Sequence, residues 1–343
     1  MDLKYSKLKI AIGALFFSML IFLSLPAAKA TPGPGIAVKP NYSNTQIEQT
    51  GSIFVRTKPG ESQQISIQLV NLTNQTQKLT VSPTVAYTSK DGAITYQPGK
   101  VPTDKTLKYK FNDLVKEQKK NVSLAPKQSQ SVNFTVTAPE KQYKGIIMGS
   151  LYVKTGNIAQ AENNNGVNIN NKIALVMPVL LRSQDVGVKP KLTVPSIKPG
   201  QQGTQTVIKT KYANEKPTTI QQMKLKNKIY RKSNPKKILS KASRSNLSMA
   251  PNSNFPFQND FGKNTLLPGT YHLSARASDN NGNHWKIEKD FNVSVGDAIQ
   301  YNTKQNWWWI ILLAILLLLI LILIYMIYRQ HKKQKQTLSN NQS

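Results

Sequence analysis

The chain has 343 residues, no cysteine, and 46 Lys and Arg against 16 Asp and Glu, for a formal net charge of +30. The missing cysteines exclude a disulfide scaffold and a thiolate metal site, and three histidines with few acids leave little material for metal or paired-carboxylate chemistry. So strong a positive excess points to anionic partners, with a field that salt weakens.

Lys4, Lys7 and Lys9 precede an apolar run from Ile10 to Leu25, and Pro26 stands just before Ala28-Lys29-Ala30. This order predicts a secretory signal peptide over residues 1–30, cleaved after Ala30 and ahead of Thr31, with an uncleaved N-terminal anchor as the alternative. Four Lys against one Asp there, and Arg329 with three Lys at the far end, leave +23 on the part between. An exported chain without disulfides fits a Gram-positive bacterial surface, where teichoic acids and other wall polymers supply negative charge. A basic surface that only keeps the protein soluble near such a wall is the bland reading of the same number.

From Gly51 onward the apolar residues alternate. Ile53 and Val55, then Ile65, Ile67 and Leu69, then Leu79 and Val81, then Val132, Phe134 and Val136 recur at period two, which predicts strands with one buried face. Lys58-Pro59-Gly60, Asp91-Gly92 and Pro98-Gly99 punctuate them as turns. Only Asn112 to Lys120 allows a helical turn or two. Lys144 to Val153 is nearly continuously apolar and predicts a closing strand buried on both faces, its glycines permitting close backbone approach. These elements predict one β-sandwich over residues 34–155, followed by a polar, Asn-rich linker over 156–171.

A second sandwich is predicted over 172–296. It opens on the apolar run Ile173 to Leu181, with Pro178 expected at an edge or bulge. Lys198-Pro199-Gly200 then echoes Lys58-Pro59-Gly60, each echo leading to an alternating strand that ends near an Asn (Asn71, Asn214). The unit closes with a hairpin in which Tyr271, Leu273, Ala275 and Ala277 turn at Asp279-Asn280-Asn281-Gly282 into Trp285, Ile287, Phe291 and Val293. Between Met223 and Met249 lie nine cations and no acid, among them Lys224, Lys226, Arg231, Lys236, Lys237 and Arg244. These six are the candidate contact for an anionic polymer or acidic partner, with solvated strand faces as the alternative. His272 and His284 read as solvated surface residues.

Trp307 to Tyr328 runs without a charge, Pro or Gly, bounded by aromatic residues and followed by Arg329, Lys332, Lys333 and Lys335. It predicts one transmembrane helix over 307–328, with Trp307 and Tyr328 at its ends, a short connector from Gly296 to Asn306 before it, and a cytoplasmic tail over 329–343. The expected fold class is therefore all-β: two tandem immunoglobulin-like antiparallel sandwiches plus a C-terminal membrane helix, in a single-pass type I surface protein. No cofactor, metal, nucleic-acid or catalytic motif is present in the sequence, which reads as that of a binding protein and not an enzyme.

Several segments together resemble the WxL-interacting protein family. They are Asn44-Thr45-Gln46, Ile53-Phe54, Lys58-Pro59-Gly60, Asp91-Gly92 with Ile94-Thr95-Tyr96, and Tyr143-Lys144-Gly145-Ile146-Ile147-Met148-Gly149. In the second unit, Ala250-Pro251-Asn252-Ser253-Asn254-Phe255, Leu267-Pro268-Gly269-Thr270-Tyr271, Trp285 and Phe291 are similar to the family's second module. The resemblance implies a peptidoglycan-binding first domain, a second domain for host or partner proteins, and complexes with WxL-domain wall proteins. Departures from the family pattern are Ile53-Phe54-Val55-Arg56, which lacks an acid, and Gly149-Ser150 in place of a double glycine. A direct adhesin for host matrix and a structural spacer at the wall remain alternatives to this reading.

Overall fold

In the computed structural model, residues 35–155, 174–262 and 264–302 are described, with the backbone of a helix over 307–340. The signal segment with Ala28, Ala30 and Thr31, and the 156–171 linker, lie outside the described residues.

The predicted alternation becomes sheet. In the first unit, β1 (Ile36–Asn41), β3 (Ser62–Asn71) and β7 (Ser129–Thr137) form one layer in the order β1-β3-β7. The facing layer runs β2 (Ile53–Arg56), β9 (Ala174–Arg182), β8 (Ile146–Thr155), β4 (Gln77–Thr88) and β5 (Ile94–Tyr96), with β6 (Lys120–Leu124) also on β4. Period-two residues from both layers meet in one core, including Ile65, Ile67 and Leu69 from β3, Leu79 and Val81 from β4, and Leu151 and Val153 from β8. Alternation places one face of each strand inward, so burial of these side chains drives the layers together.

Strand β9 departs from the sequence reading. The run expected to open the second sandwich instead lies between β8 and β2, and Met177, Val179 and Leu181 enter the first core. Its inward face is as apolar as its neighbours', so Met177, Val179 and Leu181 bury with Leu151 and Val153 of β8. The β2–β9 pair is parallel, so this layer is mixed and not wholly antiparallel. Pro178 pairs with Ser150 of β8 but stands one residue outside the β2 register, which starts at Ile53 and Val179, as a residue without an N–H requires.

The expected helical stretch shrinks to one 3-10 turn, Phe111–Leu114. Phe111 is its anchor, fully buried against β8, where a Cβ on Gly149 would lie 2.3 Å from the ring. That glycine is required by close approach.

The second unit packs β10 (Leu192–Gln202), β11 (Gln205–Asn214) and β14 (Ser253–Asp260) against a four-stranded layer. The latter has the order β13 (Asn234–Met249), β12 (Ile220–Arg231), β15 (Gly269–Ser278), β16 (His284–Val293). All its pairs are antiparallel. Lys198-Pro199-Gly200 does not form a turn here; it lies within β10, with Pro199 opposite Ile208. A separate core collects Tyr212, Phe255, Phe257, Tyr271 and Phe291.

After β16 the expected connector is a helix, α1 (Val295–Asn302), which buries Ala298 in the second core. Ser294 caps it, its hydroxyl accepting from the Asp297 N–H at 3.0 Å while the Asp297 carboxylate accepts from the Ser294 N–H, also at 3.0 Å.

The C-terminal helix also corrects the expectation. α2 (Trp307–Asn340) runs 34 residues, on through the basic cluster beyond Tyr328. Among the described residues no helix is long and apolar enough to cross a membrane. The side chains of Trp307 and Tyr328, the expected ends of the span, lie outside those described.

The two sandwiches meet through polar contacts. Thr88 shares a hydrogen bond with Ser253 at 2.5 Å and accepts from the Ala250 N–H at 3.1 Å. The Ile146 N–H donates to the Pro217 carbonyl at 2.8 Å and the Ser248 N–H to that of Gly92 at 2.7 Å. Asn254 donates to Asp104 at 2.7 Å. Burial opposes charge on Asp104, but hydrogen bonds from Thr106 and Asn254 and the nearby Lys211 outweigh it and hold the carboxyl below its usual range.

Candidate functional site

Two surfaces among the described residues gather polar and charged side chains closely. One is an open groove in the first unit. Its floor is the 3-10 turn with Val115, and one wall is the end of β7 with Ala138 and Pro139. The groove encloses about 630 Å³ and presents Lys108, Asp113, Lys116 and Glu140 beside the ring of Tyr109. Phe111 and Val115, both buried, pin the turn from below, which explains why these polar residues stand together. Lys108 lies over the Tyr109 ring at 5.1 Å, and Tyr143 flanks it at 6.2 Å. Tyr143 is held in turn by Thr57 at 3.0 Å, and burial pushes its phenol up to about 12 against that hydrogen bond. Groups of both signs and an aromatic edge suit a ligand with hydroxyl, amide, carboxylate and ammonium groups. Sequence reasoning missed this groove, because its residues belong to irregular chain between strands.

The other surface is the outer face of the four-stranded layer in the second unit. Residues directly opposite each other in antiparallel strands share a face. Lys226 of β12 stands opposite Arg276 of β15, and Arg276 opposite Lys286 of β16. Lys228 stands opposite Lys241 of β13, and Lys224 lies two residues along from Lys226. All six side chains are exposed. Only Lys286 has a carboxylate within 4 Å among the described residues, Glu288 at 3.8 Å.

The six candidate cations divide accordingly. Lys224 and Lys226 lie on this face. Lys236 and Lys237 are exposed in the outer part of β13, beyond the cluster. Arg231 and Arg244 pair with positions whose side chains face inward, Tyr271 and Leu225. Their guanidinium groups cover aromatic rings instead, Arg231 over Tyr271 at 5.8 Å and Arg244 over Phe257 at 5.1 Å. Arg231 also donates to the Pro268 carbonyl at 2.8 Å. Both serve the fold. Arg276 and Lys286 complete the face, and only strand register reveals them, since they lie some fifty residues further along the chain.

At one end the face turns acidic. His272 stacks on Tyr230 at 5.0 Å, with Nδ1 2.5 Å from Asp290 and Nε2 2.9 Å from Glu288, while Lys232 also reaches Asp290 at 2.5 Å. Burial opposes a charged imidazole, but the two carboxylates prevail and raise the His272 pKa above its ordinary value. His272 is thus on the outer face as expected, yet engaged on both ring nitrogens. Among the described residues no group of three His, Cys, Asp or Glu could hold a metal ion.

Comparison with known proteins bears on both units. Residues 37–155 match the family model described as "WxL Interacting Protein, peptidoglycan binding domain", and residues 164–303 match "WxL Interacting Protein, host binding domain". The second match starts before β9, although that strand packs in the first core. No curated protein matches the chain. Among solved structures, the chain is similar to a Salmonella enterica SafA pilin–SafB chaperone complex (12% identity, 77% of this chain and 99% of that one, TM-score 0.32). It is likewise similar to the E. coli chaperone DraB (12% identity, 76% and 96%, TM-score 0.30). Overlaps this loose carry no functional information.

Proposed function

The chain belongs to the WxL Interacting Protein family, and from that premise we propose that it is a scaffold holding WxL-domain proteins at the bacterial cell wall. Its matched domains are binding domains of a cell-surface protein, one for peptidoglycan and one for the host. The single observation that carries the reading is that both family models match in order along one chain. The contacts with wall and partner are non-catalytic in this account.

In this reading the groove beside Tyr109 receives a peptidoglycan fragment. The glycan offers hydroxyl and acetamido groups, and the stem peptide offers carboxylate and ammonium groups. Lys108 and Lys116 suit the anions, Asp113 and Glu140 the cations and hydroxyls, and the Tyr109 ring an apolar sugar face. The second domain, held to the first by buried hydrogen bonds, presents the partner and host contacts outward.

The test is capture of a purified WxL-domain protein by the full chain, in the presence and absence of sacculi and across a salt series. A complex that survives high salt supports the scaffold. Retention on sacculi alone, lost at moderate salt, would leave only the net charge as the cause of association and refute it.

A further inference from the structure

The basic face of the second unit breaks a rule of sheet pairing three times in one patch. Like charges directly opposite on neighbouring strands destabilise a sheet. Here Arg276 has a cation opposite it on both sides, Lys226 and Lys286, and Lys228 has Lys241. Neighbouring strands lie about 4.8 Å apart and alternate residues along a strand about 6.8 Å, both inside a Debye length of about 8 Å at physiological salt. The six positive charges therefore repel one another through the solvent and act as one field. Elsewhere like pairs stand singly, Lys198 opposite Lys209 and Arg56 opposite Arg182, and the two arginines share Asp185. A local rule broken repeatedly in one patch, with one carboxylate near six cations, marks a functional site.

We propose that this face binds a linear sulfated polysaccharide of the host. The inference rests on the reading of residues 164–303 as a host-binding domain, and it names the ligand chemistry of that domain. A flat sheet with cations in two dimensions suits an extended chain bearing an anion in each short repeat, and not a small anion enclosed in a pocket. Lysine dominates the set, and its ammonium is a compact point charge that meets a sulfate without a fixed geometry. Nucleic acid is disfavoured because the face has no free aromatic platform: Tyr230 is stacked on His272, and Trp285 turns toward the core. Glu288 and Asp290 bound the track on β16, so the polymer runs across the strands from Lys286 through Arg276 and Lys226 toward Lys228 and Lys241.

The experiment titrates the full chain with a size-defined heparin-type oligosaccharide, with poly(glycerol phosphate) and a single-stranded polynucleotide as competing probes. The triple variant Lys226→Ser, Arg276→Ser, Lys286→Ser is compared with Lys100→Ser, Lys105→Ser, Lys119→Ser, which removes equal charge from the exposed surface of the first unit. The expected result is that the first variant weakens sulfated-chain binding by about tenfold or more and the second by less than about twofold. The first variant should also melt no lower than the parent, because it relieves cross-strand repulsion. Equal weakening by both variants, or no binding by the parent, would overturn the proposal. Tighter binding of poly(glycerol phosphate) or polynucleotide to the same face would overturn it too and assign the face to that polymer. A parent chain that captures its WxL-domain partner but no sulfated chain would sink this inference alone and leave the family reading standing.

Discussion

Asn71 ends β3 in the first sandwich, and Asn214 ends β11 in the second. Both are fully buried, and both bind the backbone four residues on, Asn71 to the Gln75 carbonyl at 2.8 Å and Asn214 to that of Thr218 at 2.6 Å. Each also accepts from the N–H two residues on, Thr73 and Lys216, and reaches across to a distant strand, at Leu124 and Ala125 or at Ala250. The inner structure of the two units is therefore closed by the same device. Their outer surfaces differ. The first unit offers a groove of mixed charge on irregular chain, the second a sheet face on which six cations cluster beside an acidic end. The cores set the shape in both cases, and the two units differ in what they expose.

The largest expected effect separates the units. Phe111→Ala removes the buried anchor of the groove's floor and should cost about 3–5 kcal/mol. A drop in melting temperature confined to first-unit probes, with groove ligands lost, is the expected outcome of a denaturation series read by hydrogen exchange. Next, Asn71→Ala and Asn214→Ala should each cost about 1–3 kcal/mol by leaving buried carbonyls unpaired. Similar losses from the two would support the equivalence of the clamps, whereas a neutral Asn214→Ala would break it. Thr88→Val removes two hydrogen bonds between the units and should cost about 1 kcal/mol, read as a wider separation of their unfolding transitions.

The smallest effect concerns pH. The His272 pKa is raised, so its contribution is fully present below the ordinary value of 6.5 and is lost as pH rises through the higher folded value. Glu288 is lowered despite the opposing effect of burial, and Asp290 is lowered foremost by Lys232, so their contributions are lost as pH falls below the ordinary carboxylate values of 4.5 and 3.8. The network is therefore strongest between pH 4.5 and 6.5. His272→Gln should flatten the fall in melting temperature as pH rises above 6.5, by a small amount because these groups are largely solvated.

Much of this architecture is legible in the sequence, because alternation names both the strand and its buried face. Ile65, Ile67 and Leu69 are placed correctly by period alone, and so are Tyr271 and Leu273. The destination of β9 was not legible: an apolar run shows that a strand is buried but not in which sheet, and the parallel partner β2 lies more than a hundred residues away. Gly296 to Asn306 gave too short a periodic signal to reveal α1. The basic segment was half legible. Counting cations found Lys224 and Lys226 but could not separate them from Arg231 and Arg244, whose inward facing follows from their cross-strand partners Tyr271 and Leu225. Arg276 and Lys286 required the pairing itself.

The central claim, that the first unit binds peptidoglycan by a built site and not by charge, is tested most directly by co-sedimenting the full chain with sacculi stripped of anionic polymers. The account predicts retention at high salt and its loss in the double variant Tyr109→Ala, Asp113→Asn. Release of the parent chain at moderate salt, or unchanged retention of that variant, would contradict it.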